Sequence, residues 1–210
     1  MIVAIDGPAG AGESEVGRRV AQALGLPFVD SGLMYRALAL LAREHGIELT
    51  DGAALAGLAA TARVRVHGQR LAVDGEDYTD RAASPELSGP AALVAGVPGV
   101  RLALLEQRRA LGREGVVMSG RDVGTVVFPD TPHKYFLAPG SEERNGRRAG
   151  PVQVADPEQL LRQVAERDRL DTHRSLAPLP PAADAVLIDT SRLALDQAVA
   201  EILRHLRQSG

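Results

Sequence analysis

The sequence predicts an α/β fold: buried strands alternate with amphipathic helices, a phosphate-binding turn follows the first strand, and a lobe is inserted into the core. Three observations predict it. Met1-Ile-Val-Ala-Ile-Asp6 is a short apolar run of the buried-strand kind, followed by a glycine-rich turn and then an amphipathic run from Glu15 to Leu24 that ends at Gly25. Val116–Ser119, His133–Leu137 and Val186–Thr190 repeat the buried-strand pattern later in the chain. Between them, residues 32 to 100 break the strand–helix rhythm.

The first turn carries the chemistry. Gly7-Pro8-Ala9-Gly10-Ala11-Gly12-Glu13-Ser14 sits between a strand and a helix, where glycines let the backbone wrap an anion and the helix N-terminus offers N–H groups and a positive dipole end. Gly7, Gly12 and Ser14 match the spacing G-x-x-x-x-G-K-[ST], but position 13 is Glu where the motif has Lys. At about 4 Å and an effective dielectric near 20, a unit-charge pair is worth roughly 4 kcal/mol, so the reversal weakens phosphate binding unless another cation compensates. Lys134 is the sole lysine of the sequence, which leaves arginine as the substitute. Glu15 adds a second carboxylate at the helix start, where acids are favoured by the dipole.

Composition narrows the class. A chain of 210 residues with 45% hydrophobic and 24% charged residues is long enough for a full core and reads as one globular domain with inserted lobes. The net charge of −3 argues against a general nucleic-acid binder. Absence of cysteine excludes disulfides and thiolate metal sites and fits a reducing cytoplasm. No apolar run reaches the roughly 18 residues of a membrane span.

In chain order, Leu26–Asp30 is a strand and Ser31, a plausible N-cap, opens a helix carrying Tyr35 and Arg36. Taken alone, an arginine so early in a helix reads as a solvated side chain. Thr50–Ala60 is a short helix, Val64–His67 and Leu71–Val73 form a hairpin about Gly68-Gln69, and Asp74–Asp77 is a further turn. Ser84-Pro85 starts a helix whose pattern stops near Pro98-Gly99, and Val100–Leu111 is a helix with Arg101, Arg108 and Arg109. Arg121-Asp122 follows the strand Val116–Ser119, at the strand end where open α/β sheets place ligands, although a structural ion pair beside a turn would look the same. Ser141 opens a helix with Arg144, Arg147 and Arg148. A second helical run spans Glu158–Arg169, and Arg167, Asp171 and Arg174 recur near helical spacing. Leu195–Leu206 is a closing amphipathic helix.

These segments together resemble the cytidylate kinases, P-loop nucleoside monophosphate kinases. The resemblance runs nearly end to end, through Gly7–Ser14, Asp30-Ser-Gly-Leu-Met-Tyr-Arg36, Asp74–Asp77 with Ser84–Ser88, Gly120–Pro129, Arg167–Arg174 and Ala177–Leu179. The pairing of Gly-Arg-Asp-x-Gly-Thr with Arg-Asp-x-x-Asp-x-x-Arg is its most specific part. It implies a three-layer α/β/α P-loop NTPase fold with a central parallel sheet: a core of about 1–31, 100–140 and 175–210, a monophosphate-binding lobe of about 32–99, and an arginine-rich lid of about 141–174. It also implies transfer of the ATP γ-phosphate to CMP or dCMP, with ATP held by Gly7 to Glu15 and Mg²⁺ by Ser14. Ser31, Tyr35, Arg36, Arg101, Asp122, Arg167 and Asp171 would meet the acceptor. Arg121 and Arg174 would grip phosphate, and Arg144 and Arg148 would lie near the transferring group. A cytoplasmic monomer without nucleic-acid or membrane partners is the family expectation.

Four departures from the family pattern fall on binding segments: Glu13, Glu15, Ala92 where a base-binding serine is expected, and Asn145-Gly146 in the lid. They keep two other readings open, a catalytically silent nucleotide-binding protein of the same fold and a kinase for another nucleoside monophosphate.

Overall fold

A computed structural model describes residues 1–138, 180–191 and 193–208. The chain divides into two compact units, Met1–Phe28 with Val116–Gly210, and Val29–Gly115.

The first unit is built on β1 (Ile2–Asp6), whose Val3, Ala4 and Ile5 are wholly buried, as expected of an apolar strand covered on both faces. It pairs in parallel with β6 (Val116–Gly120) and β7 (His133–Ala138), and β7 pairs in parallel with β8 (Val186–Asp189). With β2 (Phe28–Asp30) at one edge, the strand order among the described residues is β2-β6-β1-β7-β8. Register pairs Asp6 with Gly120 on one side and Phe136 on the other, so the loops leaving β1 and β6 start side by side.

Helix α1 (Glu13–Leu24) and the last described helix, α7 (Leu195–Gln208), pack on this sheet. Alternate strand residues Val3 and Ile5 meet Val16 and Val20 of α1 and Ile202 of α7 in one core. Helix α1 begins at Glu13, two residues before the predicted start, because Gly12 adopts φ 91° and its carbonyl accepts from Val16 N at 2.9 Å. At the other end, Gly25 (φ 65°) closes the helix as read from sequence. Leu26 N still donates to Ala21 O, which delays β2 to Phe28. The close approach of α1 to β2 requires Gly17, whose added Cβ would lie 2.7 Å from the Phe28 ring.

The second unit holds α2 (Ser31–Glu44), α3 (Gly52–Thr61), α4 (Thr79–Ala82), α5 (Ser88–Gly96) and α6 (Pro98–Leu111), with an antiparallel sheet of β3 (Val64–His67), β4 (Arg70–Val73) and β5 (Glu76–Asp77). Three local readings are corrected here. Ser31 is not the cap of α2: the Asp30 carboxylate accepts from Gly32 N (2.8 Å) and Leu33 N (3.3 Å), and Ser31 is the first helical residue. The turn at Asp74 is confined to Asp74-Gly75, both at positive φ, so Glu76 and Asp77 pair with Val73 and Ala72 as a third strand. Ser84-Pro85 opens a 3₁₀ turn, Pro85–Leu87, before α5 begins, and α6 starts at Pro98, two residues earlier than the pattern suggested. The predicted helices from Ser141 and from Glu158 lie outside the described residues.

Ile202 is fully buried where α7 meets the sheet. Truncation to Ala is expected to lower stability by about 3 kcal/mol in urea unfolding with an unchanged m-value.

Candidate active site

The phosphate-loop shape comes from backbone. Gly10 (φ 81°) and Gly12 (φ 91°) occupy the left-handed region, Ala11 N donates to Pro8 O at 3.0 Å, and no side chain caps the N-terminus of α1. Gly7 has no room for a side chain: a Cβ there would stand 3.0 Å from Ala11 Cβ and 3.1 Å from Leu137 O. Its N–H donates to Gly120 O at 3.3 Å, tying the loop to the end of β6.

Beyond β6 the chain runs through Arg121 and Asp122 into a π-helical turn, Val123–Val127, that the sequence reading did not anticipate. Asp6 makes this turn possible. Its carboxylate accepts from Val123 N (2.9 Å) and Gly124 N (2.8 Å), and Gly124 is needed because Asp6 and the Lys134 stem crowd it. Burial dominates the carboxyl and pushes its pKa up to about 7; the two backbone donors oppose this, and the neighbouring Asp122 adds to it. Sequence reading gave Asp6 no role beyond ending a strand, yet a carboxylate at the tip of a buried strand was itself the available signal.

Glu13 does not face open solvent. Its Oε1 accepts from Arg121 Nη1, and the two side chains are only 11% and 13% exposed. An arginine therefore stands beside position 13, and the acid and the base neutralise each other within the loop. Glu15 is also matched, by Arg18 Nη2 at 2.7 Å and Arg19 Nε at 2.6 Å; the Arg18 contact leads in lowering its pKa. Arg19 further contacts Asp196 of α7. Lys134 is buried and held by Asp184 (2.6 Å) and Pro129 O (2.5 Å), so it supplies no charge to the loop.

Ser14 stands in the first turn of α1. No group of three or more His, Cys, Asp or Glu side chains suited to a metal occurs among the described residues. One hydroxyl suits a Mg²⁺ that arrives on phosphate oxygens rather than a resident ion. The loop's glycine cradle suits the phosphates themselves. The Glu13 and Glu15 carboxylates are of the wrong sign for them, and each is paired with arginine.

In the second unit, α2 and α6 build a separate cluster. Val100, Arg101, Leu104 and Arg108 form the buried face of α6, recurring every three or four residues. The guanidinium carbons of Arg101 and Arg108 lie 5.8 and 5.6 Å from the centroid of the Tyr35 ring, and Arg101 Nη1 donates to Ala95 O at 3.3 Å. The Tyr35 hydroxyl and Arg36 Nε are buried and make no hydrogen bond among the described residues, so each keeps its capacity for one. Ser31 and Ala92 are buried in the same unit. Arg108 was missed as a partner of Tyr35, although its seven-residue spacing from Arg101 puts both on one helix face. Arg144, Arg148, Arg167, Asp171 and Arg174, with Asn145-Gly146, lie outside the described residues.

The sequence model of the cytidylate kinase family matches residues 3–208. A cytidylate kinase of Pseudomonas aeruginosa (strain LESB58) is 43% identical over 220 residues, covering 100% of this chain and 96% of that protein. One of Pelotomaculum thermopropionicum is 44% identical over 211 residues, covering 96% and 93%. A solved structure of an uncharacterized protein from Eubacterium ventriosum shares the fold, with a TM-score of 0.57 at 13% identity over 99% of this chain and 98% of its own.

Two outcomes are expected of the loop. Asp6 has a raised carboxyl in the folded chain and an ordinary one, near 3.8, when unfolded. The folded state then binds the extra proton between those values, so the stability Asp6 contributes is complete below pH 3.8 and lost as pH rises through about 7. Asp6→Asn should remove that slope from urea midpoints measured across the window. Arg121→Gln leaves the buried Glu13 carboxylate uncompensated and should cost about 3 kcal/mol by the same measurement.

Proposed function

The chain belongs to the cytidylate kinase family, and from that membership we propose that it transfers the γ-phosphate of ATP to CMP or dCMP, yielding ADP and CDP or dCDP. The family match along residues 3–208 carries this proposal, since it takes in the phosphate loop, the Tyr35-Arg36 helix and the Arg121-Asp122 turn together.

Mg–ATP, when bound, would supply the phosphoryl group, and its metal would neutralise charge on the phosphates. The chain's own part is positioning and charge. Backbone N–H groups of Gly12, Glu13 and Ser14, at the positive end of α1, would hold phosphate oxygens, and the Ser14 hydroxyl would hold the metal. Arg121 offers a planar fork to phosphate oxygens as negative charge spreads in the transition state. Asp122 accepts from the exocyclic amine of cytosine; uracil lacks that donor and would leave a buried acceptor unpaired. Ser31, Tyr35, Arg36 and Arg101 bind the acceptor nucleotide, and the orphaned hydroxyl of Tyr35 and Nε of Arg36 are groups that a ligand can satisfy. Ala92 offers the base no hydrogen bond, which loosens selection between pyrimidines.

By the same resemblance, residues 32–99 form the acceptor lobe on a core of 1–31, 100–140 and 175–210. Arg144, Arg148, Arg167, Asp171 and Arg174, within the lid of 141–174, complete the phosphate and sugar contacts. The enzyme is then a cytoplasmic monomer whose partners are small nucleotides; among the described residues no single helix is long and apolar enough to cross a membrane.

The carboxylate at position 13 favours one other reading, a silent protein that binds nucleotide without transferring phosphate. A coupled assay of ADP release separates the two. CMP-dependent turnover above the UMP rate is expected, with Glu13→Lys raising kcat/KM for ATP by about two powers of ten through reversal of a charge worth a few kcal/mol. CMP bound in calorimetry but not phosphorylated, by the parent or by Glu13→Lys, would establish the silent protein.

A further inference from the structure

We propose that the Glu13 carboxylate serves as an internal stand-in for phosphate: it holds Arg121 against the loop, and the phosphates of an incoming nucleoside triphosphate must displace it. Affinity for ATP is then set by a competition inside the protein, with Glu13 as a positioning residue acting through Arg121. The inference rests on the reading of Gly7–Ser14 as a phosphate loop.

Three observations lead to it. First, the carboxylate occupies the loop position at the start of α1, and its described partner is the Arg121 guanidinium, a group whose fork suits carboxylate and phosphate oxygens alike. Second, the pair is mostly buried, at 11% and 13% exposure, so solvent screens it little and Glu13 depends on the Arg121 charge. Third, the other cations described near the loop have their own acids. Arg18 and Arg19 hold Glu15, Arg19 reaches Asp196, and Lys134 is bound to Asp184. No second described cation stands ready to take over Glu13 when a ligand draws Arg121 away.

The geometry allows exchange without refolding. Arg121 hangs from the end of β6 and Glu13 from the first turn of α1, and both attachment points are fixed by sheet register and by the Gly7 N–H bond to Gly120 O. Exchange moves Arg121 Nη1 off the Glu13 carboxylate and the Gly120 carbonyl, both of which it contacts. A triphosphate outbids a single carboxylate because it brings several negative charges to the same fork, whereas a weakly charged anion does not.

Calorimetry with Mg–ATP on four chains tests this: the parent, Glu13→Gln, Arg121→Gln and the double variant. With Arg121 present, Glu13→Gln should tighten ATP binding at least tenfold more than it does in the Arg121→Gln background, because only there does it release a sequestered arginine. Equal gains in both backgrounds would mean that Glu13 acts by repulsion alone, and would overturn the proposal. If no chain binds ATP, Glu13→Gln included, the phosphate-loop reading itself falls and the proposal with it; ATP binding with equal gains removes only the competition. Should Arg121→Gln fail to fold, Glu13→Asp replaces it. The shorter carboxylate keeps its charge but retreats from Arg121, so displacement predicts tighter ATP binding and simple repulsion predicts none. Thermal melts without nucleotide report any structural cost separately.

Discussion

The parallel register of β1 between β6 and β7 is the constraint from which the rest of the loop follows. It aligns Asp6 with Gly120, so the chain leaves both strands at one edge of the sheet. Two short sets of bonds then lock the exits together. Asp6 accepts from Val123 and Gly124, and Gly7 donates to the Gly120 carbonyl. A slip of one residue would turn every strand side chain to the opposite face and take Asp6 away from its donors. That register also brings Glu13 within reach of Arg121, 108 positions along the chain.

The loop therefore carries two kinds of information. Its shape is set by glycines at positive φ and by the crowding around Gly7, and that shape is suited to phosphate. Its charge is set by acids that have each acquired arginines, Glu13 through the sheet and Glu15 through its own helix. A buried ion pair of this kind adds little net stability over an apolar pair, because desolvation offsets the attraction; what it supplies is a defined arrangement. The pair is thus better understood as holding Arg121 in one place than as strengthening the fold.

The second unit solves a different problem, the burial of two arginines on one face of α6. Tyr35 lies within cation–π range of both, and the flanking positions Val100 and Leu104 are apolar and fully buried. Buried guanidinium groups tolerate such a site because they are weakly hydrated and planar. The hydroxyl of that same tyrosine is buried and makes no hydrogen bond among the described residues.

Much of this was legible in the residues themselves. The apolar runs of β1, β6, β7 and β8, the stop of α1 at Gly25, the hairpin at Gly68 and the whole phosphate-loop spacing depend on neighbours a few positions apart, and local propensity expresses them directly. Contacts that join distant segments were not legible. Two local features were also misread: Asp30, not Ser31, caps α2, with its carboxylate accepting from Gly32 N and Leu33 N, and Glu76 and Asp77 became a strand once Asp74-Gly75 returned them to β4. Above all, Glu13 read as an unmatched negative charge from its own neighbours, while the fold gave it Arg121. A sequence shows which charges a chain carries. Only tertiary structure, by fixing strand register and excluding water around the pair, decides which charges meet and how strongly they are felt.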